Sequence, residues 1–228
     1  MYEYKFDAER CWYRSQCNKY NTPDCGSSCI RFMEIDYLMY ESRIPKNRQI
    51  PISLYVDDQD YDAFLRLNEI KNNIVDFVDN GNNLYIYSEN FGNGKTSWAI
   101  KIMLKFFNEV WAGNGFKVRG VFVHVPTFLT SLKENIKKEK EGFSEFLINI
   151  EKADLVIWDD IASTKLSEYD HCNLLTYIDS RLLAVKSNIY TGNFTEDELI
   201  MNIGNRLASR VWNNSEAIEL ISTDKRGE

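Results

Sequence analysis

No apolar run in this chain approaches the roughly 18 residues of a membrane-crossing helix, so a membrane span is excluded as its organising element. Positive charge is not in surplus either. The 27 Lys and Arg stand against 34 Asp and Glu, a formal net charge of −7. That balance argues against broad, non-specific binding to nucleic acid, while leaving room for a local basic groove. The opening residues, MYEYKFDAER, are polar and partly acidic, unlike a secretory leader. The expected compartment is therefore the cytoplasm, where disulfides do not persist. Histidine is scarce, with only His124 and His171, and no internal repeat or low-complexity segment interrupts the chain. What is present is a hydrophobic content of 44 % rich in Phe and Tyr, over 228 residues. That suffices for one core-forming domain and a small appendage.

The sequence is organised around residues 84–99, LYIYSENFGNGKTSWA, which read as a short apolar strand, a glycine turn and a helix start. Gly92-Asn93-Gly94-Lys95-Thr96 is the second half of a phosphate-binding loop, G-x-x-x-x-G-K-[ST]. Glycines there let backbone N–H groups approach phosphate oxygens closely. Lys95 would reach the β- and γ-phosphates, Thr96 would hold Mg²⁺, and the helix start offers its positive end to the anion. The expected nucleotide-binding set is Asn90, Phe91, Gly92, Asn93, Gly94, Lys95, Thr96 and Ser97. One position departs from the motif: the first glycine is replaced by Glu89, whose carboxylate must point away from the phosphates. Glu89 also lacks glycine's freedom at positive φ, so weak affinity or slow turnover is the expected consequence.

A second diagnostic stretch is residues 153–160, ADLVIWDD, an apolar strand that ends in two acids. At the carboxyl end of a parallel strand, Asp159 would organise Mg²⁺ and Asp160 would position or deprotonate an attacking water. An acidic helix cap is the bland alternative. Further on, the strand SNIYT ends at Gly192-Asn193, where Asn193 either reaches the γ-phosphate or simply forms a turn. Arg206 and Arg210 fall one helical turn apart, either as a pair serving a neighbouring subunit's nucleotide or as surface ion-pair partners. Lys133, Lys137, Lys138 and Lys140 make one helix end strongly basic, either as a solvated face or as a contact for a nucleic-acid backbone. His124 reads as a strand side chain and Cys172 as a core thiol.

Four of the five cysteines, Cys11, Cys17, Cys25 and Cys29, fall within the first 29 residues. Four thiolates in so short a segment can close one tetrahedral Zn²⁺ site that supplies its folding energy. The C-x5-C-x7-C-x3-C spacing is less regular than paired knuckles, and an iron–sulfur cluster or free thiols remain alternatives. A helix over 29–42 should follow, then a proline-bearing linker, then a helix over 57–80. The β/α alternation from the phosphate loop onward predicts an α/β fold: a parallel sheet flanked by helices, with an extra strand between the two acidic and glycine motifs.

Taken together, SENFGNGKTSW, VHVPTFL, ADLVIWDDIAS, TGNFTEDEL and IGNRLASRV resemble the bacterial and phage helicase loaders of the DnaC/DnaI type, with the transposition ATPase IstB nearly as similar. The resemblance spans roughly residues 58–226. It implies a P-loop AAA+ ATPase without a substantial C-terminal lid, in which Lys95 and Thr96 match Walker A and Asp159 and Asp160 match Walker B. It also implies Asn193 as sensor 1, Arg210 as trans arginine finger with Arg206 a second candidate, and Arg226 as a weak sensor-2 surrogate. DnaI-type loaders carry an N-terminal zinc domain that grips the helicase. The implied layout is a four-cysteine zinc domain and helix over 1–45, a linker over 46–57 and the ATPase over 58–228. The implied function is ATP-dependent loading of a hexameric replicative helicase onto single-stranded DNA, with self-association through the ATPase. The alternatives are an IstB-like transposition ATPase and a nucleotide-binding adaptor with little hydrolysis.

Overall fold

The computed structural model describes residues 2–15, 17–49, 54, 58–137, 141–163 and 165–222, and the side chain of Lys137 is left aside. Five strands form one parallel sheet: β1 (Asn83–Tyr87), β2 (Gly120–His124), β3 (Leu155–Asp159), β4 (Ser187–Gly192) and β5 (Glu216–Glu219). Their spatial order is β2-β3-β4-β1-β5. Strand β4 therefore lies between β1 and β3, as the sequence predicted. The strands alternate inward on both faces because both are covered by helices, as parallel sheets require. Leu84, Ile86, Ile157 and Ile189 pack on one side with helices α1 (Ile30–Glu41), α2 (Tyr61–Asn72), α3 (Ile74–Asp79) and α4 (Lys95–Val110). Tyr85, Val156, Trp158 and Tyr190 pack on the other with α5 (Val125–Lys137), α6 (Phe143–Lys152), α7 (Glu168–Leu183) and α8 (Glu196–Trp212).

The helix expected over 57–80 is divided. Asn73 leaves helical geometry at φ −108°, ψ 29°, and separates α2 from α3. Its side-chain amide donates to the Glu69 carbonyl at 3.0 Å, the local competition with the backbone that makes asparagine a poor helix-interior residue. Helix α8 is kinked at Gly204, which adopts φ 76°, ψ 154°. Where α4 crosses the start of β2, a Cβ on Gly120 would lie 2.7 Å from Cε1 of Phe107, a ring that is itself fully buried. Gly120→Ala is therefore expected to cost about 1–3 kcal/mol through overpacking. A urea unfolding midpoint equal to wild type would show that the ring can yield.

The expected zinc site finds no support in the N-terminal segment. Cys11 follows a turn at Ala8–Arg10, Cys17 and Cys25 stand in separate later turns, and Cys29 caps α1. All four are free, part-buried thiols, and no three His, Cys, Asp or Glu side chains gather as a metal-holding group among the described residues. The irregular spacing places each cysteine on its own turn. Aromatic side chains of the segment pack on α1: Phe6 on Phe32 at 5.0 Å between centroids and Tyr2 on Tyr37 at 5.3 Å. Ile35, Leu38 and Met39 of α1 join the same core as α4, so α1 packs on the sheet domain and not on a metal knuckle. Cys172, expected in the core, is exposed on α7.

Candidate active site

Strand β1 ends at Tyr87, and the chain turns through residues 88–94 into α4. Gly92 and Gly94 take φ of 75° and 99°, the left-handed region that a Cβ resists, so the two glycines of the motif are required by the backbone itself. Glu89 has no such requirement, because its φ is not positive. Glu89 lines an adjoining hollow with Ser163, Phe194 and Glu198 and is absent from the lining of the glycine-turn cavity, although Phe91, Asp160 and Asn193 border both. The departure from the motif is thus accommodated without backbone strain.

The glycine turn borders a cavity of about 430 Å³ that also takes in Lys95, Thr96, Ser97, Asp159, Asp160 and Asn193. These come from the carboxyl ends of β1, β3 and β4, where ligands of open α/β sheets bind. Lys95 Nζ donates to the Asn90 carbonyl at 2.8 Å, which holds the ammonium across the loop. The Asn90 side chain turns the other way and donates to the Ile221 carbonyl at 2.9 Å. Of the expected nucleotide-binding set, Asn90 alone does not line the cavity.

The Thr96 hydroxyl donates to Asp159 Oδ1 at 2.7 Å, joining the two motifs across 63 residues. Hydroxyl and carboxylate oxygens at one point are the donor set that Mg²⁺ takes alongside phosphate oxygens and water. Asp159 is buried, and its Oδ1 also accepts the Thr191 hydroxyl at 2.8 Å. Thr191 fixes the next residue too. The Asp160 N–H donates to Thr191 Oγ1 at 3.0 Å and the Ile161 N–H to the Thr191 carbonyl at 2.9 Å. These bonds sustain Asp160 at φ 62°, a left-handed conformation uncommon outside glycine and held by its surroundings. Asp160 is thereby turned out of the strand direction toward the cavity.

Four lining residues escaped the sequence reading: Arg48, His124, Thr191 and Gly192. His124 ends β2 with Nε2 4.0 Å from Asp160 Oδ2 and Nδ1 2.8 Å from the Thr127 hydroxyl. Its place at a strand's carboxyl end was the available signal. Of the other expected residues, Arg210 is clasped by Asp179 of α7, with Nε 2.5 Å from Oδ1, while Arg206 stands exposed one turn earlier. Lys133 Nζ is bonded at 2.7 Å to Asp170 Oδ2. Burial would raise the Asp170 carboxyl, but the bonds from Lys133 and Ser167 outweigh it and hold it below its ordinary value. Lys133 is thus an ion-pair partner of Asp170 in this state. The side chain of Lys137, together with Lys138, Lys140 and Arg226, lies outside the described residues. No described helix is long and apolar enough to cross a membrane.

The fold can be compared with solved structures. The DnaC helicase loader superposes with a TM-score of 0.61 at 18 % identity, over 72 % of this chain and 92 % of that one. The chain shares its fold with the DnaC helicase loader and with DnaI. DnaI matches at 0.56 and 19 % identity, over 79 % of this chain and 93 % of that chain. AMPPCP-bound DnaA from Aquifex aeolicus matches at 0.58 and 20 %, over 75 % of this chain and half of the other. No family model and no curated protein matches the sequence. This fold places β4 between β1 and β3, and with it Thr191 and Asn193 between the glycine turn and the acid pair.

Proposed function

We propose that this chain is an ATP-dependent loader that delivers a hexameric replicative helicase onto single-stranded DNA. The observation that carries the reading is the convergence of Lys95, Thr96, Asp159, Asp160 and Asn193 on one cavity, within a fold shared with the DnaC helicase loader. In this reading Lys95 and the amides of the glycine turn bind the β- and γ-phosphates. Thr96 and Asp159 hold Mg²⁺, which when bound neutralises charge on the transferring phosphoryl group. Asp160 accepts the proton of the attacking water, and Asn193 orients that water or the γ-phosphate. Arg206, already exposed, and Arg210, once exchanged from Asp179, reach a neighbouring copy's nucleotide. Residues 1–45, with α1, form the helicase-gripping part.

ATP acts here as a switch for assembly and release, and slow turnover suits that use. The test is loading of a hexameric replicative helicase on closed circular single-stranded DNA, with and without this protein and ATP. Loading that rises only when both are present is expected. A protein that neither binds the helicase nor changes its loading would overturn the reading.

A further inference from the structure

Arg48 enters the cavity from outside the phosphate-loop module. It lies in a short turn, Lys46–Arg48, between α1 and α2, and lines the same cavity as Lys95, Asp159 and Asp160. The side chain is exposed, and among the described residues no ion pair or hydrogen bond engages its guanidinium. Charge in the cavity makes its presence informative. Among the described residues Arg48 and Lys95 are the two Lys or Arg side chains that line the cavity, and so the ones placed to attract a polyphosphate there. A guanidinium also offers a planar fork that matches phosphate oxygens in pairs, where a lysine offers a point charge.

The turn that carries Arg48 is tied to the N-terminal helix. The Arg48 N–H donates to the Pro45 carbonyl at 2.7 Å. The Gln49 side chain donates to the carbonyls of Ile44 at 2.7 Å and Met39 at 3.4 Å. Met39 belongs to α1 and is buried in the core. Buried Ser42, just after α1, accepts the Phe122 N–H of β2 at 2.7 Å, and β2 ends at His124 in the cavity. The end of α1 is therefore fastened to the cavity from two sides.

We infer that Arg48 is a phosphate ligand supplied in cis by the connector after α1, and that nucleotide occupancy is thereby passed to α1. The inference rests on the nucleotide-binding reading above. It gives the N-terminal segment a direct view of the site without any contribution from a neighbouring subunit.

The experiment is calorimetric titration of the full chain with MgATP, inorganic tripolyphosphate and adenosine, for wild type, Arg48→Ala and Arg48→Lys. Loss of one charge-assisted phosphate contact should weaken MgATP and tripolyphosphate roughly 10-fold in Arg48→Ala. Arg48→Lys should lie between, and adenosine should be unaffected. Amide exchange over residues 39–49 should slow on adding saturating MgATP to wild type and stay unchanged in Arg48→Ala. If Arg48→Ala binds MgATP as wild type does, or loses adenosine equally, the ligand assignment falls. If wild type shows no exchange protection, the link to α1 falls. Wild-type protein that binds no MgATP would instead bring down the nucleotide reading itself.

Discussion

Lys95→Ala is expected to weaken MgATP binding by roughly 100-fold or more and to abolish measurable hydrolysis, while leaving the fold intact. Among the described residues, the lysine is the one ammonium lining the cavity of the glycine turn. A charge-assisted bond contributes about 1.5–3 kcal/mol, and a lysine bridging two phosphates makes more than one. A loss of about 3 kcal/mol corresponds to roughly 100-fold in affinity. In the described state the ammonium bonds the Asn90 carbonyl at an exposed position. Such a bond contributes only about 1 kcal/mol to stability. Isothermal titration beside thermal unfolding separates the two effects. Asp160→Asn is the informative contrast, since it should retain MgATP and lose hydrolysis by about 100-fold, the range of a positioned general base. A Lys95→Ala protein that binds and hydrolyses ATP normally would remove the site from consideration and leave a scaffold that only tethers partners.

Arg181→Ala should destabilise the protein by about 3–5 kcal/mol, the scale seen when a buried charge network loses a partner. Arg181 lies on α7 and is fully buried. Its guanidinium donates to the carbonyls of Ile150 at 2.7 Å, Ala153 at 2.8 Å and Ser187 at 2.6 Å, and its Nε to Asn188 Oδ1 at 2.7 Å. Two of these acceptors belong to the end of α6, where carbonyls have no helical partner and the dipole favours a cation. Asn188 Oδ1 also accepts the indole N–H of Trp158 at 3.0 Å, and its amide donates to Asn83 at 2.9 Å. One side chain thus joins α6, α7, β3 and β4 at the end of the sheet opposite the cavity. Burial pushes the guanidinium down to about 10, so it remains charged at neutral pH. Alanine would leave buried carbonyls unpaired and a cavity beside them. Lysine has no planar fork to reach the same acceptors, so Arg181→Lys should recover little. Urea unfolding gives the measurement, and a change below about 1 kcal/mol would contradict it. Because the cavity lies at the other, carboxyl end of the strands, the nucleotide affinity of the folded fraction should be unchanged.

These two residues show how unevenly the molecule could be read. Lys95 was legible because its motif is contiguous: strand, glycine turn and helix follow one another, and each glycine meets a local backbone demand. Asp159 and Asp160 were legible because an apolar run ending in acids is also a local pattern. Arg181 was not legible, since its partners lie at the end of α6 and the start of β4 and nothing near it in sequence marks burial. Arg48 and Thr191 were missed for the same reason, whereas His124 carried a local signal in its place at a strand's carboxyl end. The zinc expectation rested on thiols counted in a short segment and finds no support in a metal-holding group among the described residues; what is seen there is Tyr2, Tyr4 and Phe6 packing on α1.

By itself the sequence determined the elements and their kind: alternating strands and helices, glycines where the backbone turns left-handed, and acids at a strand tip. Those features depend on neighbours in the chain, and periodicity records them. Only the tertiary structure decided which side chains share the cavity. Inserting β4 between β1 and β3 sets Thr191 against Asp159, and the packing of α1 on the core brings Arg48 to the rim. Such pairings span dozens of residues and arise from burial of whole faces, which no local pattern encodes.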